Sequence, residues 1–394
     1  MPLLKYRGRY DAVKDRRLSL SMIVTDSCNL DCSYCYEKKS ERKKGVMNIS
    51  VAKEVITYYT DRDDGFDKVS IEFFGGEPLL AFSLIKEIVE WFFSRSWKKK
   101  VFFALVTNGT ILTEEMKEWF LKHKKHMTVS FTIDGCKKAH DINRCNSYDK
   151  VKSNLPFFLE NWPTQPSKMS INEKTIPYIA ESVIHLEELG INFHGGPILE
   201  NIWGDTEQKK ELLKTYEDQL AILVDYYIER PHLFPPQPLF PLLPEYLGGN
   251  DSEIEKLKKE SVRFCGSGVE MATIDVDGKR YPCHRFLPLC TGKPAPQNDV
   301  NTHTSWKPDK CAQCKLVISC PTCVGFNYQV NGDPQIRTTF HCEAYKLGIK
   351  ASCKVEALRL KKMKKSEWEK LSKKEKDHQK IRLDAIIHVI EKGL

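Results

Sequence analysis

Three cysteines near the start of the chain share one short loop. Cys28, Cys32 and Cys35 are spaced C-x3-C-x2-C. Thiolates are the usual ligands of iron–sulfur clusters, and a cubane of four irons needs four ligands. Three cysteines leave one iron open to bind a small molecule through an amine and a carboxylate. A zinc knuckle is the alternative, but zinc sites pair C-x2-C with a fourth Cys or His nearby, and the next cysteine here is Cys136.

Composition limits the classes of protein that fit. The 394 residues suffice for a large core and two or three units. No uninterrupted apolar run approaches the length of a membrane span, and residues 1–17 lack the apolar segment of a secretion signal. Without such a signal, the 14 cysteines indicate metal binding in a reducing cytoplasm rather than a disulfide framework. We therefore expect a cytoplasmic protein with no membrane partner.

The distribution of charge argues against nucleic-acid binding. The formal net charge is +8, from 61 basic and 53 acidic residues. From Lys354 to the end, 13 Lys and Arg stand against 7 Asp and Glu, so this segment holds +6 of the total. The rest of the chain is close to neutral and shows no basic stripe. Apolar residues recur in the segment at helical spacing, which predicts a basic helical tail with a solvated face or, alternatively, a docking surface for an acidic peptide.

Strand-like and helix-like patterns alternate from Leu18 onwards. Apolar runs of strand length occur at Leu18–Val24, Val69–Phe74, Val101–Val106, Met127–Ile133, Lys168–Ile171 and Ile191–His194. Helical patterns lie between them at Val51–Tyr59, Ser83–Phe93, Thr113–Lys122, Lys150–Leu159 and Ile179–Leu189. Six such units predict an α/β fold, a partial (β/α)6 TIM barrel with its chemistry at the C-terminal strand ends. Four motifs follow the first four strands: the cysteine loop, Gly75-Gly76-Glu77-Pro78, Thr107-Asn108-Gly109 and Asp134-Gly135.

The cysteine loop and the motif after the second strand together resemble the radical S-adenosylmethionine (SAM) enzymes. In that family three such cysteines hold a 4Fe–4S cluster that cleaves SAM reductively, so the resemblance makes all three catalytic. Gly75-Gly76-Glu77-Pro78 is similar to the family's motif for the SAM amino group. Glycines let a backbone approach a ligand, and Glu77 can pair with an ammonium. Tyr34 is similar to the family's aromatic position beside the adenine.

Further SAM contacts are expected at the later strand ends. Asn108, after the third strand, is one of them. Thr132, Asp134 and Arg144 lie in a stretch that resembles the peptide-modifying members of the family. Arg144 either contacts the SAM carboxylate or forms a structural ion pair. Asn172, after the fifth strand, is expected to contact the ribose.

The second group of cysteines resembles the SPASM extension of radical SAM enzymes that modify peptides and proteins. Cys265 is followed by twelve residues, Gly278, four residues and Cys283. A central run has the form Cys311-x2-Cys314-x5-Cys320-x2-Cys323, and Cys342 follows it. The last interval of that run is two residues, where the family usually has three. Because the extension carries two auxiliary clusters in the family, the resemblance predicts three 4Fe–4S clusters and SAM as cofactors.

The same resemblance assigns the ligands. The far auxiliary cluster takes Cys311, Cys314, Cys320 and Cys342. The near auxiliary cluster takes Cys265, Cys283 and Cys323. Seven cysteines leave one ligand missing, and either Cys290 supplies it or the iron stays open for a substrate thiolate or water. A pair of zinc-ribbon knuckles is the alternative for the central run.

The resemblance implies an oxidoreductase that matures peptides. Tyr281-Pro282-Cys283-His284 resembles the maturases that form cysteine thioethers in ribosomal peptides (sactipeptides and ranthipeptides), which we therefore favour. The chain is less similar to anaerobic sulfatase maturases, which form formylglycine and carry an aspartate where this chain has His284. Carbon–carbon cyclophane formation and epimerisation are further alternatives. An iron–sulfur electron-transfer protein is the non-enzymatic alternative.

Partners and units follow from the same reading. The expected partners are a ribosomally made precursor peptide and an electron donor such as flavodoxin or ferredoxin. Since 27 residues precede Cys28, we expect leader binding on another surface or on a separate leader-binding protein, or no leader binding at all. The predicted units are an N-terminal lead-in at 1–17, the barrel at 18–235, a linker at 236–264, a SPASM domain with a small β-hairpin and helices at 265–350, and the basic tail at 351–394.

Overall fold

A parallel sheet lies at the centre of the protein in a computed structural model, which describes residues 16–37, 45–248, 265–294, 306–363 and 365–392 and the single positions 255 and 296. Most of the predicted N-terminal lead-in and residues 249–254 and 256–264 of the predicted linker lie outside the described residues.

The described residues form eight strands. They are β1 Arg17–Thr25, β2 Lys68–Gly75, β3 Lys100–Thr107, β4 Met127–Phe131, β5 Ser167–Ile171, β6 Phe193–Pro197, β7 Met271–Ile274 and β8 Arg280–Tyr281. Six of them pair in the order β4-β3-β2-β1-β7-β8, and β5 pairs with β6. A parallel bridge between Thr132 and Lys168 continues the order from β4 to β5. The predicted α/β fold with a parallel sheet is confirmed.

Helices connect the barrel strands, and further helices follow the last strand. They are α1 Ile49–Asp61, α2 Phe82–Phe93, α3 Glu114–His123, α4 Lys137–Asn143, α5 Tyr148–Asn161, α6 Ile179–Glu188, α7 Thr206–Glu229, α8 Pro288–Thr291, α9 Asp309–Ala312, α10 Val324–Asn331, α11 Cys342–Lys362, α12 Lys365–Glu369 and α13 Lys373–Lys392. Because α1 to α6 lie between successive parallel strands, the right-handed crossovers place them outside the sheet.

Local sequence explains why these elements form where they do. In β2, Val69, Ile71 and Phe73 are buried at alternate positions, so one face of the strand packs into the core. Helix α3 begins where the Thr113 hydroxyl accepts a hydrogen bond from the Met116 amide at 3.2 Å. The helix then buries Met116 and Trp119 on its inner face, three residues apart.

Strand β7 of the cysteine-rich region extends the edge of the barrel sheet. The sequence did not predict this pairing. Residues Ser19–Met22 of β1 pair in parallel with Met271–Ile274 of β7. Strand β8 then pairs antiparallel with β7, and Gly278 takes a positive φ of 87° in the turn between them. This predicted small hairpin is therefore joined to β1, the strand that leads into the Cys28 loop.

Strand β6 lies later in the chain than the prediction of Ile191–His194. It runs through two glycines because a neighbouring segment packs against it. The Gly195 amide donates to the Gln237 carbonyl at 3.0 Å. A Cβ at Gly196 would lie 2.5 Å from Pro238 Cγ, so a side chain there would displace this segment. The first residues of the predicted linker therefore belong to the core.

Two long helices complete the C-terminal part. Helix α11 runs through the predicted boundary at residue 350, and its Arg359 donates to the Tyr227 and Leu233 carbonyls at 2.8 and 2.9 Å. The predicted tail is helical. Helix α13 buries Ile386 but leaves Ile390 68% exposed. Of the helices in the described ranges, none combines the length and apolarity that crossing a bilayer requires.

Candidate active site

One cleft opens at the C-terminal ends of the barrel strands. All three cysteines of the first loop line it, together with Gly75, Gly76, Glu77 and Asn108. The loop is fixed from below, because the Ser33 amide donates to the Asn143 carbonyl at 2.9 Å. The motifs that follow the first three strands are therefore brought together.

The two glycines of the second motif allow two strand ends to approach each other. Gly75 has a φ of 137°, and a Cβ there would overlap the Thr25 carbonyl oxygen. A Cβ at Gly76 would overlap the Ser27 carbonyl oxygen. The Glu77 amide instead donates to Ser27 O at 2.8 Å. Here the predicted close backbone approach is between this motif and the start of the cysteine loop, at the wall of the cleft.

Glu77 is buried and held by the end of β3. Its carboxylate accepts hydrogen bonds from the Asn108 amide at 2.7 Å, the Thr107 hydroxyl at 2.8 Å and the Leu79 amide at 3.1 Å. Burial raises the pKa of Glu77, while these hydrogen bonds and Arg144 oppose that rise. Glu77 therefore has a fixed position in the wall of the cleft.

Asp134 connects the cysteine loop to β5. Its Oδ2 accepts from the Tyr34 hydroxyl at 2.7 Å and from Arg144 Nε at 2.9 Å, and its Oδ1 accepts from the Ser170 amide at 2.8 Å. Burial raises the pKa of Tyr34, and the charge of Arg144 opposes this. Arg144 thus forms the structural ion pair that the sequence left open, and it also lines the cleft.

The other predicted SAM contacts differ in position. Thr132 and Asn108 line the cleft, and Asn108 Nδ2 donates to Asn29 Oδ1 at 2.7 Å. Asn172 is buried, and its Nδ2 donates to the Ser33 hydroxyl at 3.1 Å. Asn172, Asp134 and Pro78 are absent from the set of described residues that line the cleft. The geometry therefore makes Asp134 and Asn172 supports of the lining residues.

The thiols of the first loop act on one another electrostatically. Burial raises the pKa of Cys32 to about 11; Arg144 opposes the rise, and Asp134, Cys35 and Cys28 add to it. Three thiols facing one cleft are a donor set that fits an iron–sulfur cluster. In the part of the chain that the structure describes, no three His, Cys, Asp or Glu side chains are arranged to hold a single metal ion.

The later cysteines include two sets of thiols that act on one another electrostatically. Burial raises the pKa of Cys283 to about 11, with further increases from Cys323 and Cys265. Burial raises the pKa of Cys320 to about 12, and the far-group thiols that add to it are Cys342, Cys314 and Cys311. The buried Arg337 opposes that last rise and would favour thiolates there. Both groups are therefore donor sets that fit clusters.

Cys290 lies between the first loop and the near group. It is fully buried, and burial raises its pKa, with smaller increases from Glu37, Cys35 and Cys283. Cys290 is not among the charges that shift Cys283 or Cys265 most. Cys290 and Cys283 share one buried cluster, against which Cys265 packs, so the structure places a fourth thiol close to the near group.

Sequence reasoning missed a second wall of the cleft. Tyr36, Phe74, Lys168 and Ser170 line it. His284 stacks on Phe74 and Tyr36, with ring centroids 5.1 and 5.8 Å apart, so the hairpin that carries Cys283 reaches this wall. A lysine within the short apolar run at 168–171 was the signal available in the sequence.

Comparison with known proteins finds a family that matches part of the chain. The model of the radical SAM superfamily matches residues 22–168, so the chain contains a radical SAM domain. Among curated relatives, the radical SAM cyclopropyl synthase TigE of Paramaledivibacter caminithermalis is 25% identical over 150 residues. That match covers 35% of this chain and 31% of TigE, so the chain spans about a third of that relative.

Solved structures share the fold over most of the chain. The structure described as native anSMEcpe with bound AdoMet and Cp18Cys peptide has a TM-score of 0.62 at 18% identity, covering 87% of this chain and 99% of that one. Streptococcus suis SuiB bound to precursor peptide SuiA has a TM-score of 0.52 at 18% identity, covering 82% of this chain and 75% of that one. At these identities the likeness establishes the fold.

Proposed function

We propose that this chain is a radical SAM peptide maturase with a SPASM region, and that it installs a cysteine thioether in a ribosomally made peptide. The observation that carries the proposal is the cleft itself. Its one wall holds the three loop cysteines and Glu77, and its other wall meets the hairpin of Cys283 through His284. A peptide in this cleft would lie between the SAM site and the near auxiliary site.

The residues take the following roles. Cys28, Cys32 and Cys35 hold the cluster that binds SAM, and Glu77 receives the SAM ammonium. Asp134 orients Tyr34 beside the adenine and Arg144 towards the SAM carboxylate. Thr132 and Asn108 complete the cleft, with Asn172 behind them. The far cluster is assigned to Cys311, Cys314, Cys320 and Cys342, and the near cluster to Cys265, Cys283 and Cys323.

The chemistry requires an enclosed site. When bound, the clusters and SAM supply a 5′-deoxyadenosyl radical that takes a hydrogen atom from a peptide carbon, and a sink for the second electron. The chain's own groups orient the reactants and exclude water, since Tyr36 and Phe74 form an apolar wall beside the cysteine loop. SuiB binds a precursor peptide and anSMEcpe binds a peptide together with AdoMet, which supports a peptide substrate here.

Peptide product analysis tests the thioether assignment. Reconstituted protein is incubated anaerobically with SAM, a reductant and any short cysteine-containing peptide that a neighbouring reading frame encodes. We expect a product that has lost two hydrogens, retains its sulfur and no longer reacts with an alkylating reagent. A modified peptide whose cysteine still alkylates would contradict thioether formation and favour a carbon–carbon crosslink or epimerisation.

Formylglycine formation is the second candidate, because anSMEcpe is similar in fold over nearly its whole length. In this reaction His284 would act as the base, at the position where anaerobic sulfatase maturases carry an aspartate. Burial lowers the pKa of His284 to about 4, so the imidazole is neutral at pH 7 and can accept a proton. The same experiment separates the two reactions, since formylglycine formation at cysteine removes the sulfur from the peptide.

A further inference from the structure

Lys168 is the cationic side chain on the second wall of the cleft. It lies on β5 between two cleft-lining neighbours, since its backbone bridges to Thr132 and Ser170 follows two residues later. The side chain is exposed to the cleft rather than to the outer surface of the barrel. An ammonium in this position faces whatever molecule the cleft binds.

The charges around Lys168 leave it without a counterion. The ones that act on it most are Asp134, Arg144, Arg285 and Glu200. These four form two ion pairs, Arg144 with Asp134 at 2.9 Å and Arg285 with Glu200 at 3.0 Å. Within the described ranges, the Lys168 ammonium has neither an ion pair nor a hydrogen bond to a side chain. One positive charge therefore remains uncompensated at the seam between the barrel and the hairpin.

Unused polar atoms lie close to the same seam. His284, on which the charge of Lys168 acts, has a buried Nδ1 with no hydrogen-bond partner in the described part of the chain. Arg285 is 5% exposed, and its Nε is likewise buried without a partner there. Buried polar atoms usually have hydrogen-bond partners, and a hydrogen bond left unmade costs free energy. Two donors at this wall, the Lys168 ammonium and the Arg285 Nε, thus lack an acceptor among the described residues.

A carboxylate satisfies this chemistry. It is anionic and offers only acceptors, so it can take hydrogen bonds from an ammonium and from neighbouring donors at once. The two acidic side chains that act on Lys168 most, Asp134 and Glu200, are already paired with Arg144 and Arg285. A carboxylate of a molecule bound in the cleft would supply the acceptor that these two described side chains do not.

We infer that Lys168 binds a carboxylate of a molecule held in the cleft, either the methionine end of SAM or an acidic residue of the peptide substrate. The inference rests on the proposed function, because it takes the cleft as the binding site for both. A hydrogen bond to a charged partner of this kind changes affinity by about 10- to 100-fold.

The test compares ligands that differ only in the carboxylate. Reconstituted wild type, Lys168→Met and Lys168→Arg are titrated anaerobically with SAM and with decarboxylated SAM. In the second arm, SAM-loaded protein is titrated with two labelled synthetic peptides that differ by Glu or Gln beside a cysteine. We expect the preference for the carboxylate form to fall about 10- to 100-fold in Lys168→Met in one arm, which identifies the source, and to persist in Lys168→Arg.

Controls keep the result interpretable. Lys174→Met removes an exposed lysine that does not line the cleft, and it should leave both preferences unchanged. Iron content is measured for each variant, and Lys168→Gln replaces the methionine variant if iron is lost. The inference is overturned if Lys168→Met leaves the carboxylate preference unchanged in both arms. It is also overturned if the wild type shows no carboxylate preference in either arm. Release of 5′-deoxyadenosine by the wild type is measured in the same samples and decides the proposed function separately.

Discussion

The barrel cleft and the cysteine-rich region position their chemistry in different ways. In the cleft, two buried carboxylates collect hydrogen bonds from several strand ends: Glu77 from β3 and its own turn, and Asp134 from the cysteine loop and β5. In the cysteine-rich region several elements are short, such as the two-residue β8 and the four-residue α8 and α9, although Cys342 begins the long helix α11. The cleft is organised by the protein's own hydrogen bonds, whereas on our proposal the second region would depend on the clusters that its thiols bind.

Loss of the far group of cysteines should have the largest effect. Replacing Cys311, Cys314, Cys320 and Cys342 by Ala should remove about four irons per chain and unfold the region around them, because short elements lose the ligation that joins them. Iron analysis and limited proteolysis measure this. The barrel should stay resistant to protease.

A matched control uses buried thiols outside both groups. Cys136→Ala and Cys353→Ala should each retain all iron, although both thiols are buried. If the quadruple variant kept its iron and its protease resistance, the comparison between the two regions would fail.

Asp134→Asn should lower the free energy of unfolding by about 3–5 kcal/mol. Asp134 and Arg144 form a buried ion pair at 2.9 Å, so the substitution leaves the guanidinium buried without its counterion. Chemical denaturation measures the loss. The control Asp149→Asn removes an exposed partner of Lys137 and should change stability by no more than about 0.5 kcal/mol. Equal losses in the two variants would show that Asp134 does not organise the cleft.

Acidification should weaken the barrel through His140. Burial lowers its pKa to about 4, and the neutral Nδ1 accepts a hydrogen bond from the Asp134 amide at 3.2 Å. Because the pKa of His140 is depressed in the folded state, the contribution of neutral His140 to the free energy of unfolding is complete above about pH 6.5. It is lost as the pH falls towards about 4. The loss between pH 6.5 and 5 is about 2 kcal/mol.

His140→Asn tests the origin of that pH dependence. The Asn side chain offers an oxygen acceptor for the Asp134 amide but does not titrate. The loss in free energy of unfolding between pH 6.5 and 5 should therefore be about 2 kcal/mol smaller than in the wild type. Denaturation curves at several pH values measure it. An unchanged slope would assign the acid sensitivity to other groups.

Cys290→Ala should have the smallest effect on iron. We expect Cys265, Cys283 and Cys323 to hold the near cluster without Cys290, so the iron content should stay constant. A cysteine-containing peptide should then perturb the EPR signal of that cluster. Loss of about four irons would instead make Cys290 the fourth ligand.

The sequence predicted the first five barrel strands and their end motifs because long apolar runs and Gly-rich turns are local signals. The family resemblance predicted a small hairpin in the cysteine-rich region but not its position at Gly278. The pairing of β1 with β7 was missed, because a four-residue strand has little pattern and its partner is far away in sequence. Strand β6 was misplaced because its glycines are selected by the packing of Pro238, which no local pattern reveals. Lys168 was missed as a cleft residue because its exposure depends on the curvature of the sheet.

Iron content and SAM cleavage, measured together, test the central claim most directly. Anaerobically reconstituted wild type should hold about twelve irons per chain and release 5′-deoxyadenosine with SAM and a reductant. The variant with Cys28, Cys32 and Cys35 replaced by Ala should hold about eight irons and release none. Unchanged release of 5′-deoxyadenosine by that variant, or a wild type with about four irons and stoichiometric zinc, would contradict the account.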